Sequence, residues 1–262
     1  MRRACAPSRR LALGVVGVIM ASVAGCVSEP SGTIAPPASR AERLEAQVNL
    51  ARGYLESEAP ARARAPLDRA LAIDSNSADA LGLYAVYFLR EGEPRLAETY
   101  FRRALRSDPA HAPNLNNFAA LLLSEGRYRE ARDPLRRLVG DTGYAGRARA
   151  FERLGDVERR LGDAAAARDA FTRALALEPS LQGAALGLAE IALAAGDLPT
   201  AARYFADARE QGAPTRETLC FGQRLAARTG DTDLAASQAL ALRSLYPNAA
   251  DPCVEPARTQ GP

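Results

Sequence analysis

The chain has 262 residues and a formal charge of +3, but four of its arginines, Arg2, Arg3, Arg9 and Arg10, crowd the first ten positions, where no acid stands. Beyond residue 25 the balance is 30 Arg against 31 Asp and Glu, which withdraws support from a nucleic-acid-binding reading. All 34 basic residues are arginine, so chemistry that needs a lysine, such as a P-loop or a Schiff base, is excluded.

The first element is a leader. The early arginines precede the apolar run Leu11 to Met20 and a small-residue stretch ending Val23-Ala24-Gly25-Cys26, the order of a signal peptide over 1–25. The run is shorter than the roughly 20 residues a transmembrane helix needs. Val-Ala-Gly-Cys resembles a bacterial lipobox with valine in the usual leucine place, so Cys26 is the expected site of lipid attachment. The plainer alternative is an ordinary cleavage site with an incidental cysteine. Acyl chains on Cys26 would hold the body at a membrane, since each buried CH₂ contributes about 0.8 kcal/mol. Val27 stands where lipoproteins retained at the inner membrane carry Asp, so the same resemblance implies the outer membrane. Residues 26–43 form a lipidated tether. The stretch 27–40 (VSEPSGTIAPPASR) lacks periodicity and reaches at most about 50 Å.

A 34-residue register then runs through units 44–77, 78–111, 112–145, 148–181, 182–215 and 216–249, with a two-residue slip at Gly146-Arg147. The twentieth position of every unit is alanine: Ala63, Ala97, Ala131, Ala167, Ala201 and Ala235. The eighth is Ala51, Ala85, Ala119, Gly155 and Ala189, then Gln223. Small residues at two such places let paired helices approach closely. Bulk follows at the twenty-fourth position (Leu67, Phe101, Leu135, Phe171, Phe205) and at the seventh (Leu50, Tyr84, Phe118, Leu154, Leu188), both expected in the core.

Gly92, Gly126, Gly162, Gly196 and Gly230 mark a turn inside each pair that needs a left-handed residue, with Glu58 the exception in the first. Pro109, Pro179 and Pro247 stop the second helices. Pro66 and Pro134 fall inside second helices, where bends are expected, and Pro60 and Pro94 fall in first turns, where the missing N–H costs nothing. The loosest junction is Asp141-Thr142-Gly143-Tyr144.

These features resemble the tetratricopeptide family, which implies an all-α, right-handed superhelical solenoid of six helix pairs whose first helices line a concave groove. A solenoid end calls for a cap. The tail, 250–262, could supply one by folding back to join Cys253 to Cys220, a closure contributing roughly 3–4 kcal/mol. The alternative is two unrelated thiols.

No catalytic constellation is present. A single histidine, no metal-ligand spacing and no Gly-x-Ser-x-Gly elbow leave a non-enzyme with no metal, cofactor or small-molecule substrate. His111, between units, is expected to be a solvent-facing loop residue. On the groove side, Val48, Arg52, Leu55, Val86, Leu89, Asn116, Asn117, Ala120 and Leu123 make a comparatively apolar stretch suited to an extended or helical peptide. The Asn116-Asn117 amides either pair with a ligand backbone or satisfy neighbouring groups. The later units place Arg149, Glu152, Asp156, Arg160, Glu190, Arg224 and Arg228 on the same side, a more charged and salt-sensitive half.

Local sequences in order are similar to one particular family, the type IV pilus biogenesis lipoproteins PilF and PilW. The stretches are ARGYLESE (51–58), APLDRALAIDSNSADAL (65–81), EPRLAETYFRRAL (93–105), LNNFAALLLSEGRYREA (115–131), RAFERLGDVE (149–158) and LRSLYP (242–247). The resemblance implies a pilotin, a periplasm-facing outer-membrane lipoprotein that binds secretin subunits and promotes their localisation and multimerisation. The competing reading on the same repeats is an adaptor lipoprotein that recruits peptidoglycan hydrolases or other envelope assembly factors; an envelope enzyme comes last.

Overall fold

The computed structural model describes residues 38–57, 59–247 and Cys253. The leader, Cys26, the tether as far as Pro37, Glu58 and the rest of the tail lie outside the described residues. Among those described, the secondary structure is twelve helices with no strand. They run in six consecutive pairs: α1 (Arg40–Glu56) with α2 (Pro60–Ile73), α3 (Ala78–Arg90) with α4 (Pro94–Ser107), α5 (Ala112–Ser124) with α6 (Tyr128–Gly140), α7 (Arg147–Arg160) with α8 (Ala164–Leu177), α9 (Gln182–Ala194) with α10 (Leu198–Glu210), and α11 (Arg216–Thr229) with α12 (Thr232–Leu245).

Local chemistry fixes where each helix begins and stops. Ser39 closes a capping box with Glu42, and Ser77, Asp163, Asp197, Thr215 and Asp231 each accept a backbone N–H of the turn they open. Five within-pair turns pass through a glycine with φ between 74° and 85°, a region that costs a side-chain-bearing residue about 1–2 kcal/mol. Pro60 and Pro94 open α2 and α4. Pro66 and Pro134 are buried inside α2 and α6, which continue through them.

Alanine contact is what lets the two helices of a pair lie against each other. Ala51, Ala63, Ala85, Ala97, Ala119, Ala131, Ala167, Ala189 and Ala201 are all 0% exposed. Ala235, opposite Gln223 in the last pair, is only partly covered. The large side chains knit one pair to the next. The Tyr84 hydroxyl on α3 donates to Asp68 on α2, Phe118 on α5 lies 5.9 Å from Phe101 on α4, and Phe221 on α11 lies 5.3 Å from Phe205 on α10.

Leu50 departs from the expectation for its position. It is 42% exposed, because the seventh residue of a unit packs on the second helix of the preceding pair, and among the described residues no pair precedes α1. At the other end Cys220, at the start of α11, is bonded to Cys253, with Sγ atoms 2.08 Å apart.

Two charged clusters join neighbouring pairs. Glu158 on α7 is 1% exposed and meets Arg132 and Arg136 of α6 at 2.8 and 2.9 Å. Arg127, which caps α6, reaches Glu98 on α4 at 2.7 Å as well as Glu125 and Glu130. Its guanidinium, hydrogen-bonded to these carboxylates, holds Glu98 and Glu130 below the usual carboxylate range. First helices of successive pairs also pack directly on each other, α1 on α3, α3 on α5, α7 on α9 and α9 on α11. They therefore present a common face along the stack.

Candidate functional site

Two sets of hollows lie along that face. The early set has a cavity of about 340 Å³ bordered by Arg52, Leu55, Val86, Arg90, His111 and Asn117, and beside it one of about 320 Å³ bordered by Val86, Leu89, Arg90, Asn117 and Ala120. Val86, Arg90 and Asn117 border both, so α1, α3 and α5 share one continuous trough. Arg52, Leu55, Val86, Leu89, Asn117 and Ala120 are thus brought together. Leu123 borders a later hollow with Tyr128 and Arg153.

Two expected groove residues are placed elsewhere. Val48 is 5% exposed and packs with Ala70 and Ala80. Asn116 is engaged within the fold: its Oδ1 accepts from Arg153 Nη1 at 2.7 Å, and its Nδ2 donates to Asn117 Oδ1 at 3.2 Å. Both stand at the fifth position of their units, which points at the following first helix rather than into the trough. Gly82, at the same position, faces Asn114 so closely that a Cβ there would lie 1.8 Å from Asn114 Oδ1. Asn114 is buried and donates from Nδ2 to the Ala78 carbonyl at 2.9 Å, locking α5 to α3 beneath the trough. Its sequence signal was the glycine at an otherwise side-chain-bearing position.

His111 also departs from the loop expectation. It is the N-cap residue of α5, its side chain is 16% exposed, and its Nε2 lies 3.4 Å from Asp79 Oδ1. Because α5 begins there, the ring is laid onto the first turn of α3. Hydrogen bonding from His111, with the charges of His111 and Arg52 adding, holds the Asp79 carboxyl below its ordinary range.

The late set is larger. A cavity of about 760 Å³ is bordered by Arg159, Arg168, Glu190, Ile191, Arg224 and Arg228, and a neighbour of about 460 Å³ includes Asp156, Arg160 and Leu186. Arg149 is exposed and borders neither. Glu152 lies against Gly183, and burial, then the nearby Asp156 charge, pushes its carboxyl up. Among the described residues, no group of three or more His, Cys, Asp or Glu side chains is placed to hold a metal ion.

The tetratricopeptide repeat family model matches over residues 48–112, 84–148, 116–182 and 152–215. A relative in Pseudomonas aeruginosa, type IV pilus assembly protein PilF, is 34% identical over 234 residues, 89% of this chain and 93% of its own. The chain is a tetratricopeptide-repeat protein of the PilF family. The solved structure of Pseudomonas aeruginosa PilF superposes with a TM-score of 0.70 at 37% identity, covering 80% of this chain and 95% of that one. PilW, described as a widely conserved type IV pilus biogenesis factor, gives a TM-score of 0.67 at 23% identity, covering 79% and 95%, a likeness of fold. In this PilF-family member the trough on α1, α3 and α5 and the arginine-lined cavity on α7 to α11 are two hollows that the first helices border.

Proposed function

We propose that this chain is a pilotin: a lipoprotein, anchored in the outer membrane through Cys26, that binds secretin subunits of the type IV pilus and promotes their multimerisation. The observation that carries this reading is the identity to PilF across 93% of that protein's length. The trough supports it physically. Leu55, Val86 and Leu89 offer apolar contact, while Asn117, whose carbonyl is met by Asn116, keeps an amide group for a peptide backbone. Lipid on Cys26 would concentrate the scaffold where its client must insert.

Ala120 provides the test, because it is exposed at the trough and can be changed without opening the core. Ala120→Glu is expected to weaken capture of the purified secretin by about tenfold or more, by forcing an unpaired carboxylate into the contact. Its thermal melt should match the parent's. Undiminished secretin capture by the variant would remove the trough from the reading. Capture of peptidoglycan hydrolases with no secretin would replace the reading by the adaptor one.

A further inference from the structure

The late cavity has a charge that the rest of the face lacks. Four guanidiniums border it, Arg159 from α7, Arg168 from α8, and Arg224 and Arg228 from α11, against the single carboxylate of Glu190 from α9. The early trough, by contrast, sets Arg52 and Arg90 against Glu56 and Asp79. Glu190 is already shared by Arg159 at 2.7 Å and Arg224 at 2.8 Å. Arg168 and Arg228 are exposed and have no ion-pair or hydrogen-bond partner among the described residues. Arg159 Nε is shielded from solvent and likewise unpaired.

Fold stability explains only part of this arrangement. A cation in the last turn of a helix is favourable, which accounts for Arg159 and Arg228. It does not account for Arg168, early in α8, and Arg224 and Arg228 stand four residues apart on one helix, a spacing at which like charges repel. Nor is the patch a by-product of a basic chain, since acids slightly outnumber arginines beyond residue 25.

We infer that this cavity is a second protein-binding site, which takes an acidic segment carrying an apolar side chain. Its carboxylates pair with Arg168 and Arg228, each guanidinium fork donating two parallel N–H bonds to a carboxylate. The apolar side chain lies over Ile191 and Leu193, which border the same cavity. A volume of about 760 Å³ suits several residues rather than a single small anion. A nucleic-acid strand would call for stacking platforms, and the lining includes no aromatic side chain. The site is separate from the trough on α1 to α5, so it stands or falls independently of the secretin reading.

Fluorescence anisotropy on the mature chain tests it, with a short labelled glutamate–leucine peptide, the matching lysine–leucine peptide and a short oligothymidylate as probes. The acidic peptide is expected to bind, and raising salt from about 50 to about 500 mM should weaken it strongly. Arg168→Glu with Arg228→Glu should weaken it by about tenfold or more. The neutral pair Arg168→Gln with Arg228→Gln should weaken it less, and Ala120→Glu should leave it unchanged. Absence of binding by the acidic peptide, equal binding of the lysine peptide or the oligothymidylate, or undiminished binding by the double variants overturns the inference.

Discussion

Replacing Phe171 by alanine is expected to lower the stability of the chain by about 3–5 kcal/mol, the range for a fully buried aromatic whose site cannot collapse. The ring is 0% exposed and is held between two glycines. A Cβ on Gly155 of α7 would come within 2.6 Å of it, and one on Gly187 of α9 within 2.4 Å. One aromatic side chain on α8 therefore fills the space where the fourth pair meets the fifth, and the backbones of α7 and α9 form two of its walls. Those walls are tied to neighbouring pairs and cannot move inward to fill a void. Urea unfolding followed by circular dichroism should show the midpoint fall accordingly, with Phe171→Leu losing less because it keeps more of the volume. An unfolding free energy for Phe171→Ala within about 1 kcal/mol of the parent would mean that this junction adds little to the cohesion of the array.

Cys253→Ser is expected to cost about 3–4 kcal/mol, the chain-entropy value for cross-linking residues 33 apart. Cys253 is exposed, so serine removes the bond without opening a cavity, whereas Cys220 is buried beside Leu219 and Leu242. The loss should be large for its place, because the last pair is the loosest: Ala235 is only partly covered, and Leu240 and Leu245 on α12 are 64% and 53% exposed. Treating the oxidised parent with dithiothreitol should reproduce the shift, and treating the variant should change nothing further. An unreduced parent that labels at Cys220 and Cys253, or a variant as stable as the parent, would contradict the expectation.

The helical hairpins were legible because their grammar is local. The alanines at the eighth and twentieth positions, the turn glycines and the stop prolines each act within one unit, and each recurs often enough to be recognised. What the sequence could not show was how one pair sits on the next. Val48 and Asn116 carry the residue types of a groove, yet the fifth position turns toward the following first helix, a direction set by the offset between pairs. Leu50 has the same character as Tyr84 or Phe118 and differs in having no preceding pair among the described residues. His111 sits in a junction by register, but its meeting with Asp79 depends on where α5 is laid across α3. The arginine cavity was half visible. Glu190, Arg224 and Arg228 came from first-helix positions, while Arg168 belongs to a second helix that reaches round to the same hollow, a place that first-helix spacing does not sample.

The central proposal is that this scaffold brings secretin subunits together at the outer membrane. The most direct measurement is the amount of SDS-resistant secretin multimer, together with twitching motility, in cells lacking the gene and in the same cells carrying it again. The proposal predicts that multimers and motility both disappear on deletion and return with the intact gene. Persistence of both without the gene would contradict it.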